Sequence, residues 1–380
     1  MRHLSPLPLL IALALGAAPA RAAEPIKIGA LLPVTGGAAF LGGPEQRTLE
    51  MAVEELNARG GLAGRPVQLV VKDTGGSPEK AVSFAKQLID EEQVFAIIGP
   101  ATSGETMQVK ALAESSGTLL LSTAAAEVIV NPVARWVFKT AQKDSHAATV
   151  IFQELKRRGL TKVAVLTSNT GFGKAGKEQL ERLAPEFGLQ VVVSETYDKA
   201  ATDLTAEVTK VKAAGAQALV NWSIEPAQAI VIKNARQLGL AIPIFQSHGF
   251  GNIQYVKAAG AAAEGVVFPM GRVVVAEALP EKHPQKALLV AYKRAYEARY
   301  KEDVSGFGGY AYDALLILSQ AVQQAGADRE KVRAAVEGLK GLTGVSGTFN
   351  FSPADHNGLG LDSFELLTVK DGKFAILGAK

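Results

Sequence analysis

The sequence contains no cysteine. That excludes disulfides, thiolate nucleophiles, cysteine-held metals and a lipid carried on an N-terminal cysteine. Histidines are few and scattered: His3, His146, His248, His283 and His356. There is no H-E-x-x-H and no pair at the helical spacing that holds a metal. A G-x-S-x-G nucleophile elbow is also missing. Nothing in this inventory supports an enzyme, a metal site or a cofactor. Neither charge sign dominates, since 40 Lys and Arg against 37 Asp and Glu leave +3. No basic block stands out, so nucleic acid is not an expected partner.

Long apolar runs are lacking after the N-terminus. The first one, Leu9–Leu15, follows Arg2 and His3 and precedes the small residues Ala18, Ala20 and Ala22. This is the pattern of a secretory signal peptide, too short to span a bilayer. Cleavage is expected after Ala22, with Ala20 as the second choice. Cleavage after Ala22 removes Arg2 and Arg21 and takes the formal charge from +3 to +1. The mature protein is expected to be exported, soluble and untethered. At 380 residues, 48 % hydrophobic and 20 % charged, it has the composition of a globular chain with room for two domains.

The most informative stretch is V-F-A-I-I-G-P-A-T-S-G-E-T at 94–106. Five apolar residues, Val94–Ile98, predict a strand buried on both faces of a parallel sheet. Gly99 and Pro100 end it, and Thr102 with Glu105 spells a capping box that opens a helix. Such a turn presents free N–H groups at a positive helix end and favours an anion. The spacing Gly99 to Thr106 comes close to a phosphate loop, but Glu105 stands where the lysine belongs. A carboxylate is the better ligand, and an unoccupied strand–helix turn is the plainer alternative.

Around this stretch strands and helices alternate. Strands are expected at 26–32, 67–71, 94–98 and 118–121, with helices at 45–59, 78–91 and from 102. A Gly-rich loop, 35–43, carries Phe40 and Leu41, which either tuck back or face a ligand. The turns at 33–43, 99–103 and 122–126 fall on the carboxyl edge of one sheet, where such folds bind ligands. The alternation then restarts: helix 144–158, strand 162–167, helix 174–187, strand 189–194, helix 203–213, strand 217–222, helix 225–238 and strand 242–246. Its edge turns carry Phe172, Trp222 and His248, each a candidate for packing or for ligand contact. Helices follow at 284–300, 307–325 and 328–338, then strands from 347 to 377.

These residues carry a resemblance. I-K-I-G-A-L-L-P-V-T-G at 26–36, E-L-N-A-R-G-G-L-A-G at 55–64, Asp73-Thr74, I-I-G-P-x-x-S at 97–103 and Y-x-Y-D-A at 310–314 resemble the type I periplasmic solute-binding proteins of the branched-chain amino acid group. Those proteins are receptors of ABC importers. The resemblance covers the whole mature chain. It implies an α/β fold of two doubly wound parallel-sheet lobes joined by a three-strand hinge. Lobe one would take 23–142 and 271–350, lobe two 143–270 and 351–380. It further implies a periplasmic monomer, a small carboxylate ligand and a membrane permease as partner. A sensor subunit that signals to a receptor is the alternative.

Carried over by position, Ser103 resembles the hydroxyl that holds the ligand's carboxylate, beside Ala101 and Thr102. Ala124 and Ala126 fall where the family uses backbone groups and a threonine hydroxyl. Leu41, Phe172, Ile224 and Phe307 fall at side-chain contacts. His248 departs from the family, whose amino acid receptors carry there a glutamate that pairs with the ligand's ammonium. A neutral imidazole is a poor counter-ion for ammonium. The departure favours a hydrophobic acid without an amine, aliphatic or aromatic.

Overall fold

The structure, a computed structural model, describes residues 24–378. The signal-peptide reading lies outside them. Strands β1 (Ile26–Leu32), β2 (Val67–Asp73), β3 (Ala96–Ile98), β4 (Leu119–Ser122) and β5 (Val137–Lys139) form a first sheet in the order β2-β1-β3-β4-β5. All its pairings are parallel. Helices α1 (Ala39–Ala58), α2 (Pro78–Lys86) and α3 (Ser103–Ser116) make the crossovers. The apolar run in β3 is used on both faces, as its unbroken pattern requires. Ala96 and Ile98 join one core layer, whereas Ile97 joins Leu31, Val109 and Leu120 in the other.

The second sheet is built from β6 (Lys162–Ser168), β7 (Gln190–Tyr197), β8 (Ala218–Trp222), β9 (Ile244–Gln246) and β10 (Val267–Met270). Helices α4 (Asp144–Arg157), α5 (Gly171–Leu183), α6 (Thr205–Ala213), α7 (Ala227–Gln237) and α8 (Ile253–Ala259) alternate with them. The chain then runs through α9 (Lys286–Tyr300), α10 (Gly306–Ala325), α11 (Arg329–Gly338) and the small pair β11 (Leu342–Thr343) and β12 (Thr348–Phe349). It ends in β13 (Glu365–Lys370) and β14 (Lys373–Ile376), which extend the second sheet antiparallel beyond β10. The architecture is α/β, with two doubly wound sheets.

After β10 the chain returns to the first sheet. Helix α10 packs along α1, and the Tyr292 hydroxyl of α9 meets Thr48 Oγ1 of α1 at 2.8 Å. Residues beyond 350 remain there for a further stretch. His356 stacks on Phe138 with ring centroids 3.9 Å apart, and its carbonyl accepts from Lys139 N. The packing therefore puts the return to the second sheet after Asn357, later than the resemblance implied.

Three connections thus join the sheets, and Gln142, on the first, bonds to the third and to the first half. Its Nε2 donates to Ser346 O (3.0 Å) and Ser363 O (3.4 Å), and its Oε1 accepts from the Tyr310 hydroxyl (3.0 Å).

Two helix starts differ from expectation. Helix α1 begins at Ala39, so Phe40 and Leu41 lie in its first turn and not in a loop. Tight packing explains the glycines there: a Cβ on Gly42 would fall 2.4 Å from the Pro33 carbonyl. Pro44 sits inside the helix and has no N–H for the Phe40 carbonyl four residues back. Asn252 of the second half donates to that carbonyl instead, at 2.9 Å. Helix α5 likewise begins early, at Gly171, and takes Phe172 into its first turn.

Candidate functional site

The turn after β3 folds as its residues dictate. Gly99 has φ +91°, and a Cβ there would lie 2.3 Å from the Leu31 carbonyl, so no other residue fits. Thr102 caps α3: its hydroxyl accepts from Glu105 N (3.3 Å) and donates to Glu105 Oε2 (2.6 Å). Glu105 is thus committed to the cap, and burial raises its pKa against the lowering effect of its bonds to Thr102 and Thr74. Ser103, 2 % exposed, accepts from the backbone N–H of Ala126 (3.2 Å). Its own hydroxyl proton stays available for an acceptor.

The second half presents a matching turn. Thr170 caps α5, accepting from Gly173 N (3.1 Å). The run Gly171–Gly176 spells G-x-G-x-x-G over the first turns of α5, shortly after β6, a dinucleotide-like spacing. Its glycines are spent on packing. A Cβ on Gly171 would fall 2.7 Å from the Gly104 backbone, one on Gly173 1.9 Å from the Ser168 carbonyl, and one on Gly176 2.2 Å from Trp222 Nε1. The first of these contacts joins the two halves: the N-termini of α3 and α5 meet tip to tip. Two positive helix ends repel unless negative charge lies near both.

His248 follows β9, in a turn fixed by Ser247 Oγ accepting from Gly249 N (3.1 Å). Phe172, Trp222 and Phe364 surround its ring edge-on at 5.4, 5.6 and 5.7 Å. It is 2 % exposed, and neither ring nitrogen has a hydrogen-bond partner among the described residues. Burial, and then the nearby Lys139, push its pKa down to about 3 against the raising effect of the Gln142 backbone. The imidazole is therefore neutral at physiological pH.

An inner cavity of about 20 Å³ lies between the halves. Eight of the expected residues line it: Leu41, Ala101, Ser103, Ala124, Phe172, Ile224, His248 and Phe307. A larger outer cleft of about 660 Å³ shares Phe172 and Ile224 with it and takes in Thr102. Two expected residues do not reach either space. Trp222 is wholly buried behind the Phe172 and His248 rings, because Gly176 lets α5 close over its indole. Ala126 is wholly buried behind Ser103 and acts through its N–H alone.

Other lining residues were missed, among them Thr123, Tyr310 and Glu225. Thr123 and Tyr310 line the inner cavity. Thr123 donates to Glu45 Oε2 (2.9 Å), a carboxyl that burial holds well above its usual pKa. Tyr310 links the cavity wall to Gln142. Glu225 lines the outer cleft. The motif Y-x-Y-D-A and the stretch S-T-A-A-A held the first two in view, whereas nothing in S-I-E-P marks Glu225.

Comparison with known proteins agrees with this architecture. A family model described as periplasmic binding protein matches residues 25–373. The leucine-, isoleucine-, valine-, threonine- and alanine-binding protein of Pseudomonas aeruginosa is 28 % identical over 319 residues, 83 % of each chain. An extracellular ligand-binding receptor from Rhodopseudomonas palustris superposes with a TM-score of 0.87 at 25 % identity, covering 93 % of this chain and 100 % of that one. The branched-chain amino acid transporter substrate binding protein LivJ from Streptococcus pneumoniae, in complex with isoleucine, superposes at 0.82 and 28 % identity, over 92 % and 98 %. These relatives are binding proteins and receptors, not enzymes. The chain belongs to the periplasmic binding protein family, in its type I, branched-chain amino acid receptor group.

Proposed function

We propose that this protein is the extracytoplasmic receptor of an ABC importer and captures a hydrophobic carboxylic acid that lacks an α-amino group. The carboxylate takes the Ser103 hydroxyl and the N–H groups at the tip of α3, beside Ala101, Thr102 and Ala124. Leu41 and Phe307 close the inner cavity around the carboxyl end, and Phe172 and Ile224, which line both spaces, flank the hydrocarbon part. Contacts shared between the halves favour the closed form through their difference in free energy between the two states. The closed form then docks on a membrane permease.

The observation that carries this reading is His248. Among the described residues, a neutral ring with two unpartnered nitrogens stands in the wall of the cavity, and no carboxylate lines that cavity. An α-ammonium placed there finds no counter-ion, whereas a carbonyl, hydroxyl or neutral carboxyl group bonds to a neutral imidazole. Thermal-shift measurements with leucine, valine, 2-oxo acids and benzoate-type acids test the reading. Stabilisation by one of the acids and not by leucine is expected; tight leucine binding with no response to any acid overturns it.

A further inference from the structure

The inner cavity has room for about one water molecule, so an acid with a hydrocarbon tail must extend past Phe172 and Ile224 into the outer cleft. Glu225 lines that cleft. It is 6 % exposed, and its Oε2 has no hydrogen-bond partner among the described residues. The turn that carries it is fixed, since the Glu225 backbone N–H donates to Ser223 Oγ at 3.0 Å.

Two charged groups act on this carboxyl in opposite senses, Lys199 drawing it towards ionisation and Glu105 opposing it. Lys199, from the loop after β7, and Lys233, from α7, line the same cleft; Lys199 pulls the carboxyl's pKa down, yet Oε2 keeps no hydrogen-bond partner among the described residues. Glu105 of α3 faces it from the opposing half and adds negative potential. Tyr197 and Tyr255, the buried titratable groups beside it, have raised pKa values and are neutral at physiological pH.

We propose that Glu225 forms an outer subsite that receives a positively charged amino group at the far end of the acid whose carboxylate sits at Ser103. The inference rests on the reading of the inner cavity as the carboxylate site. It names a narrower ligand class: linear or aromatic acids with an amine remote from the carboxylate and none beside it. A cation at the Glu225 carboxylate gives it a charge-assisted hydrogen bond and offsets the repulsion from Glu105. An α-amino acid carries its amine beside the carboxylate, in the inner cavity and not in the outer cleft. Burial, against the pull of Lys199 and with the push of Glu105, raises the Glu225 pKa to about 7. Affinity for a remote amine should therefore rise with pH as the carboxyl ionises.

The test is calorimetric titration of the whole protein with butanoate, hexanoate and octanoate and with their terminal-amino counterparts. At about pH 8 at least one amino acid of the series should bind ~10-fold tighter than the alkanoate of equal length. That preference should shrink ~10-fold at about pH 6. Glu225→Gln should abolish the preference while leaving alkanoate affinity within about twofold. The wild-type pH dependence keeps the test valid should the variant fold poorly. If alkanoates bind but no amine is preferred, or if the preference survives in Glu225→Gln, the outer subsite is wrong and the inner site stands. If neither series binds, the inner site is wrong and the outer one falls with it.

Discussion

His248 sets the character of the site at the scale of single residues. Its folded pKa is depressed to about 3 from the usual 6.5. The folded state resists the proton that the unfolded chain accepts. The stability that goes with a neutral His248 is complete above about pH 6.5 and is lost as pH falls towards the folded value. Over the first ~2.5 units of that fall the loss amounts to about 3 kcal/mol. His248→Phe should therefore show a smaller drop in unfolding midpoint between about pH 6.5 and about pH 4 than the wild type. Equal acid sensitivity of the two proteins would show the ring to be solvated. His248→Glu makes the opposite change, placing a carboxylate in the cavity. Titration calorimetry should then detect leucine binding where the wild type has none, because an α-ammonium gains a counter-ion.

Among the elements, α3 and α5 govern how the halves meet. Each is capped by a threonine, and each begins with residues small enough to let the tips touch. A Cβ on Gly171 would lie 2.7 Å from the backbone of Gly104, closer than real contacts allow. The strain exists only when the halves are together. Gly171→Ala should leave the unfolding midpoint without ligand close to that of the wild type. Ligand affinity should fall at least ~10-fold, equivalent to about 1.4 kcal/mol of lost closure, and small-angle scattering should show an expanded liganded state. Unchanged affinity would mean that binding does not bring these tips together. The capping box of α3 was readable from Thr102 and Glu105, because a cap is a local arrangement. The early start of α1 was not. Gly42, Gly43 and Pro44 disfavour a helix by propensity, and packing of Gly42 on Pro33 outweighs that preference.

For the molecule as a whole, closure and cohesion depend on contacts between distant segments. Asn252 to the Phe40 carbonyl, and the exposed Lys257–Asp303 pair at 3.0 Å, tie the second half to the first. The exposed pair contributes little; the hydrogen bond fills a carbonyl that Pro44 leaves free. Gln142, on the first connection, is bonded to Ser363 of the third and to Ser346 and Tyr310 of the first half, all buried. Gln142→Leu strands two carbonyls and the Tyr310 hydroxyl, and urea unfolding should report a loss of about 3 kcal/mol. A loss below about 0.5 kcal/mol would show that the connections hold without it. What the sequence determined by itself is whatever depends on neighbours along the chain: the alternation of strands and helices, the buried run at Ala96–Ile98, the cap at Thr102, the lack of thiol and metal chemistry. Only the tertiary structure decided that Trp222 lies behind the site, that Gly171 meets Gly104, and that Glu225 lines the cleft with its Oε2 unpartnered among the described residues. Burial and the absence of a partner are properties of what surrounds a side chain in space. For these residues the surroundings come from segments far away in sequence, which no local pattern specifies.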